Sequence, residues 1–278
     1  MSYGVCILSV VPLRGEASER AEMVSQLLFG DCYEVLETEG NWLKIKTSDC
    51  GYEGFLNLKY HHALTEEQYQ ELLHQPQSLV SDFMTLLCEE KSQTVFPVFI
   101  GTSFPKPDET GHFKLGVIAF AFPSWSADSA ENSEFRIQNP KSNCQLSTVN
   151  CQLSTMLEFA MQFLRAPYLW GGRTPAGIDC SGFTQLIYKS IGVLIPRDAS
   201  QQVELGNALD FASEAQIGDL AFFQNEEGRI VHVGMVCGPG KIIHASGQVR
   251  IDRLDDTGIF NADTGQYSHH LRIIKRLL

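Results

Sequence analysis

The sequence has no apolar run near the roughly 18 residues that a membrane-spanning helix needs, so no membrane partner is expected. It also lacks a basic excess. Its 21 Lys and Arg face 33 Asp and Glu, a net charge of -12, opposite in sign to the footprint of a nucleic-acid binder. Acidic character of this kind bears on solubility and says little about fold. None of the eight cysteines (6, 32, 50, 88, 144, 151, 180 and 237) forms a C-x-x-C pair, which argues against a zinc site or a disulfide framework. Scattered cysteines are usually reduced and buried, so a reducing, cytoplasmic setting is expected. No Lys or Arg precedes the apolar patch at residues 5–11, which reads as a first strand and not a signal peptide. A chain trimmed of an export signal would read the same way. Nor does the composition resemble a disordered chain, since 44% hydrophobic against 19% charged residues supports a packed core.

A length of 278 residues suits two or three domains. The fold class expected is α+β, a small β-barrel region followed by a mixed α+β domain. Residues 1–62 carry short apolar runs at 5–11, 25–29, 32–36, 42–46 and 54–58, separated by turn signals such as Phe29-Gly30-Asp31 and Glu39-Gly40-Asn41. Trp42-Leu43-Lys44-Ile45-Lys46 alternates as a half-buried strand does. Five such strands suggest a small barrel. Residues 63–155 read as a helical linker plus a second small barrel like the first, or a linking subdomain. Thr65 caps a helix at 68–74, a second helix is expected at 78–89, and strands at 95–100 and 112–122. The Ser- and Asn-rich stretch 123–155 reads as a disordered-looking insertion. It holds a direct repeat, Asn-Cys-Gln-Leu-Ser-Thr at 143–148 and again at 150–155, too short for a solenoid and read as a duplicated loop. From residue 156 to 278 the pattern is α+β, with helices at 156–164 and 181–191 and strands at 219–224, 232–237, 241–245 and 271–276.

The chemistry gathers in this last part. In Asp179-Cys180-Ser181-Gly182-Phe183, aspartate is a good N-cap and Cys180 opens a helix. A thiol there faces unpaired N–H groups and the positive dipole end, which lower its pKa from about 8.5 towards neutrality. The same N–H groups can hold an oxyanion. The other seven cysteines read as structural. A cysteine nucleophile needs a base, and the base needs an orienting partner. His232 alternates with apolar residues in Val231-His232-Val233-Gly234, and His244 lies twelve residues on in Ile242-Ile243-His244-Ala245. Gly238-Pro239-Gly240 forms the hairpin turn between them. Antiparallel pairing then sets both rings on one face. His232 takes the thiol proton and His244 fixes its ring. A lone strand histidine is more often a satisfied core group; two at hairpin spacing beside a helix-capping cysteine point to a catalytic pair.

In order, Tyr168-Leu169-Trp170-Gly171-Gly172, Asp179-Cys180-Ser181-Gly182-Phe183, Ile195-Pro196-Arg197-Asp198, Ile217-Gly218-Asp219-Leu220, His232-Val233-Gly234 and Ile243-His244-Ala245 resemble the NlpC family of bacterial peptidases over about residues 156–278. The resemblance implies a papain-like fold, a triad on Cys180, His232 and His244, and cleavage of peptidoglycan peptides. It implies that Tyr168 lies near the oxyanion. At the front, Leu27-Leu28-Phe29-Gly30, Trp42-Leu43-Lys44-Ile45 and Gly51-Tyr52-Glu53-Gly54-Phe55 resemble a bacterial SH3-like domain. Such a domain precedes the catalytic one in γ-D-glutamyl-L-diamino acid endopeptidases of murein peptide recycling. The resemblance implies that Tyr52 lines the substrate pocket and offers Glu22 as an acidic partner. The substrate expected is a murein peptide with a free N-terminal L-Ala, whose amine needs anionic and hydroxyl acceptors; Asp179 and Ser181 flank the nucleophile and can supply them. Some relatives carry serine where this chain has Ala199, and Ser200 is the replacement considered. No metal or organic cofactor is expected. Two other classes stay open: an inactive wall-peptide-binding module, which the intact triad argues against, and an acyltransferase using the same Cys-His pair.

Overall fold

The computed structural model describes residues 2–123 and 149–278, which fall in two units, 1–142 and 143–278. The first copy of the hexapeptide repeat and its Cys144 lie outside the described residues.

The first unit begins with β1 (Ser2–Val5), β2 (Val10–Arg14), β3 (Met23–Leu28), β4 (Cys32–Glu39), β5 (Trp42–Thr47), β6 (Glu53–Asn57) and β7 (His62–Leu64). They form an antiparallel sheet in the order β3-β2-β6-β5-β4-β1-β7, the SH3-like region. Its core is built by alternation: Val11 and Leu13 from β2, Leu43 and Ile45 from β5, and Leu56 from β6 are all buried. The helix Glu66–His74 starts where a capping box can form. Thr65 Oγ1 accepts from the Gln68 N–H, and Gln68 Oε1 accepts from the Thr65 N–H.

The helix expected at 78–89 is not present. Those residues form β8 (Gln77–Leu79) and β9 (Met84–Glu89). Thr85 and Leu87 point inward while their neighbours are more exposed, so a period of two prevails over an apolar run that also suited a helix. With β10 (Thr94–Phe99), β11 (Ser103–Pro105), β12 (His112–Leu115) and β13 (Ile118–Ala121) they make one sheet ordered β10-β9-β13-β12 and a short pair β11-β8. Phe29 stands among the rings of this layer, with its centroid 5.0 Å from that of Phe120 and 5.5 Å from that of Phe96. That shared cluster joins the second layer to the first within one unit.

In the second unit the helix Val149–Met161 takes in the second repeat copy, which is therefore helical and not a loop. The helix Cys180–Lys189 follows a small hairpin, β14 (Arg173–Thr174) and β15 (Gly177–Ile178). Then come the short helix Ala199–Gln202, β16 (Asn207–Leu209), β17 (Leu220–Gln224), β18 (Ile230–Gly238), β19 (Lys241–Ser246), β20 (Gln248–Leu254), β21 (Gly258–Asn261) and β22 (Gln266–Arg276). Strand order is β16-β22-β17-β18-β19-β20-β21, and β22 also pairs with β21. β22 is long enough to pair with β17 along one stretch and β21 along another, which closes β17–β22 on themselves. Ala221, Phe223, Val236, Ile242, Leu254 and Ile259 fill the interior. The helix Cys180–Lys189 packs on β18 and β19. Its Phe183 meets Phe163 edge-on at 5.6 Å, and Tyr188 Oη donates to the Gly218 carbonyl at 2.6 Å.

Candidate active site

Cys180 is the first residue of its helix, and Asp179 is the N-cap, accepting from the Gly182 N–H at 2.7 Å. A cap of this kind is worth about 1 kcal/mol and holds the chain's entry angle. Gly182 is required here: a Cβ would come 2.6 Å from the Gly172 carbonyl oxygen. The Cys180 sulfur accepts backbone hydrogen bonds from Val233 and from Ser181. Val233 follows His232 on β18, so the thiol rests against the strand that carries the base. The side chain is only 6% exposed. Burial pushes its pKa up to about 12, and the Asp179 charge adds to this. The N–H groups of Val233 and Ser181 and the Arg197 charge pull the other way without prevailing. The lowered thiol pKa expected from the helix start is thus overturned, because desolvation outweighs the local dipole.

His232 and His244 come together as the hairpin spacing implies. In the β18–β19 register His244 faces Gly234, so His232 is its diagonal neighbour on the same face. His232 Nε2 lies 2.8 Å from His244 Nδ1. Gly234 makes this closeness possible, since a Cβ there would sit 2.7 Å from the His244 Cβ. Behind His244, its Nε2 lies 3.0 Å from Asp252 Oδ2. Arg250 grips that carboxylate with Nε at 2.6 Å and Nη2 at 2.9 Å. His269 lies against His232 with centroids 4.2 Å apart. Burial holds His232 well below the usual imidazole range, helped by His244 and His269. Burial opposes the Asp252 charge, but hydrogen bonds from His244 and Arg250 outweigh it and keep the carboxyl below its ordinary value. A raised thiol beside a lowered imidazole means the resting proton sits on sulfur. His232 acts by taking it as attack proceeds.

Arg197, 2% exposed, forms the other buried ion pair. Its Nη1 and Nη2 donate to the two Asp179 oxygens at 3.0 and 2.6 Å, and Nη1 also donates to Ser181 Oγ at 2.9 Å. With the Gly171 N–H on Oδ2 and the Gly182 N–H on Oδ1, each Asp179 oxygen already accepts two N–H groups. Arg197 thus pairs with Asp179, the residue before the nucleophile.

Tyr168 is half-buried. Burial, then the nearby Cys180 and Asp179, push its hydroxyl pKa up, which sets the phenol beside the nucleophile in neutral, donor form. Ser200 is exposed on the short helix Ala199–Gln202. Tyr52, half-buried just before β6, and Glu22, exposed just before β3, belong to the first unit. His269 was not legible in the sequence because β22 pairs with the distant β17, whereas Arg250 and Asp252 lie on β20, which follows β19 through a tight hairpin and was within reach of the spacing argument that joined His232 to His244. The available signal was the spacing of Asp252 from buried Leu254, which puts a carboxylate on an inward face. Among the described residues no group of His, Cys, Asp and Glu is arranged to hold a metal, and no helix is long and apolar enough to cross a membrane.

Residues 165–267 match the NlpC/P60 family, and residues 13–59 match the bacterial dipeptidyl-peptidase Sh3 domain. The chain is 28% identical over 236 residues to a gamma-D-glutamyl-L-lysine dipeptidyl-peptidase of Bacillus cereus, covering 81% of this chain and 67% of that one. It is 29% identical over 231 residues to the protein of the same name from Bacillus subtilis, covering 80% and 71%. To dipeptidyl-peptidase 6 of Lysinibacillus sphaericus it is 24% identical over 270 residues, covering 91% and 92%. A crystal structure of an NlpC/P60 family protein from Bacillus cereus superposes with a TM-score of 0.78 at 22% identity, over the full length of both chains, a likeness of fold. The chain carries an NlpC/P60 domain of papain-like fold, preceded in sequence by an SH3 domain of the bacterial dipeptidyl-peptidase type.

Proposed function

We propose that the chain is a cysteine peptidase that hydrolyses the bond between γ-D-glutamate and a diamino acid in murein-derived peptides with a free N-terminal L-Ala. The observation that carries it is the contact of His232 Nε2 with His244 Nδ1 at 2.8 Å, on the strand whose Val233 N–H meets the Cys180 sulfur. The relatives named for cleavage at gamma-D-glutamyl-L-lysine support the choice of bond.

The steps follow from the geometry. As the sulfur attacks the γ-glutamyl carbonyl carbon, a C–S bond forms and the thiol proton passes to His232. The carbonyl oxygen becomes an oxyanion beside the Cys180 N–H at the helix start, with the Tyr168 hydroxyl as a second donor. Collapse breaks the C–N bond, and His232 returns its proton to the departing amine. Water, deprotonated by the same imidazole, then cleaves the thioester and frees the thiol. The free L-Ala amine meets Ser181 and Asp179. Arg197 already neutralises Asp179, and each Asp179 oxygen already accepts two N–H groups, so the amine's hydrogen bond falls chiefly to the Ser181 hydroxyl.

Mass spectrometry of L-Ala-γ-D-Glu-L-Lys and its diaminopimelate counterpart, incubated in ¹⁸O water, tests this. The expected products are a labelled L-Ala-D-Glu and the free diamino acid. An adduct with an added amine and no labelled acid means an acyltransferase, and binding without cleavage means a wall-peptide-binding module.

A further inference from the structure

We propose that Asp252, clamped by Arg250, is a positioning residue that sets the tautomer of His244 and so leaves the lone pair of His232 on Nδ1, free to take the Cys180 proton. The effect on turnover rests on the peptidase reading, whereas the effect on the thiol does not.

The argument starts at the buried end. Asp252 is 6% exposed, and its two oxygens take Arg250 Nε and Nη2 at 2.6 and 2.9 Å. Arg250 is held in turn by Asp263 at 2.9 Å and by Asn261 at 3.3 Å, both between β21 and β22 or at the end of β21. A carboxylate so gripped only accepts, so the hydrogen in the 3.0 Å contact sits on His244 Nε2. In the uncharged ring His244 Nδ1 is then an acceptor. The hydrogen in the 2.8 Å contact must therefore come from His232 Nε2. That leaves the lone pair of His232 on Nδ1, the nitrogen turned away from His244. With Asp252 neutralised, His244 is free to carry its hydrogen on Nδ1. His232 Nε2 then accepts, the hydrogen moves to His232 Nδ1, and the ring can no longer take a proton from sulfur. The groups facing this chain of rings are His269, Arg250 and Asp263.

The test uses Asp252→Asn, with Arg250→Gln as the milder variant, since Arg250 is partly exposed. Near-UV circular dichroism checks that each is folded. For Asp252→Asn we expect kcat to fall by about 10- to 100-fold, KM to stay within about twofold, and the acid limb of the pH profile to move down. Losing the negative charge makes the rings harder to protonate, which sets that direction. Alkylation of Cys180 by iodoacetamide at pH 7, mapped by mass spectrometry, should slow at least about fivefold. Arg250→Gln should move each readout the same way, by less. A folded Asp252→Asn protein with kcat within twofold, an unmoved acid limb and unchanged alkylation overturns the proposal. If Asp252→Asn does not fold, Arg250→Gln decides by the same readouts. If the wild-type protein cuts no murein peptide, alkylation still decides the relay, so the two readings fail separately.

Discussion

The ring of His269 lies nearly parallel to that of His232, with centroids 4.2 Å apart and 25° between the planes. Phe223 approaches both, at 5.7 and 5.9 Å, so one apolar ring borders both imidazoles, and both are largely withdrawn from solvent. Two stacked rings in such a place cannot both carry a charge without strong repulsion. The base is thereby held neutral and ready to accept a proton, and its own protonation is opposed by a neighbour that no substrate has to touch.

The stack makes the fold sensitive to acid. Burial lowers the pKa of His269 to about 4, against about 6.5 for a solvated imidazole. An imidazole with a lower pKa in the folded state leaves stability unchanged above pH 6.5. Below that the unfolded chain binds a proton that the folded one refuses, and stability is lost as pH falls to about 4. His269→Gln should remove roughly 1–2 kcal/mol of that loss at pH 4.5, after allowing for the partial exposure of the ring. Thermal unfolding at pH 7 and pH 4.5 measures it. The variant should show the smaller drop in midpoint, and an equal drop in both proteins would show that the ring bears no such load.

Cys180→Ala should abolish cleavage and leave the fold intact. The change removes one sulfur from a nearly closed site, so the stability cost should be no more than about 1–2 kcal/mol. Peptide turnover followed by mass spectrometry, with a melting curve for the same preparation, checks both parts. Turnover that survives the substitution would move the nucleophile elsewhere.

Much of the local chemistry was legible in the sequence, and the long-range chemistry was not. Asp179 as cap, Cys180 as first helical residue and the two histidines across a Gly-Pro-Gly turn all depend on spacings of twelve residues or fewer. Arg250 and Asp252 were missed although they are local: no strand was expected at 248–254, yet β20 pairs with β19 across a tight turn, with Arg250 opposite His244 and Asp252 eight residues after it. His269 arrives by a strand that pairs with β17, more than forty residues earlier in the chain. The direction of the thiol shift failed for the same reason: the helix dipole is local, whereas burial is tertiary. The helix expected at 78–89 failed on periodicity, since Leu79, Val80, Leu86 and Leu87 suit either element until Thr85 and Leu87 are seen to point the same way.

Gly234→Ala should separate geometry from chemistry. The added Cβ would lie 2.7 Å from the His244 Cβ and 2.8 Å from Ile242 Cδ1, too close for either to stay in place. Overpacking of this kind costs about 1–3 kcal/mol. Because the displaced ring is the one that orients His232, kcat should fall by about tenfold or more with KM little changed. Steady-state kinetics read beside urea unfolding test this. A variant that loses stability but keeps kcat would mean the sheet relaxes without disturbing the two rings.

The Asp179–Arg197 pair should behave as a buried pair whose members cannot be removed singly. Arg197→Met leaves the Asp179 carboxylate buried with only the Gly171 and Gly182 N–H groups and the Ser181 hydroxyl, and so should cost about 3–5 kcal/mol. Arg197→Met with Asp179→Asn removes both charges, and the amide oxygen still accepts from Gly182 at the helix start. The double variant should therefore recover part of the loss, because the charge left without its partner, more than the missing attraction, is what destabilises. Urea midpoints of the single and double variants give the comparison. Should the double variant be less stable than the single by the full cost of a second substitution, the two residues act independently and the pair is not what holds the nucleophile's loop.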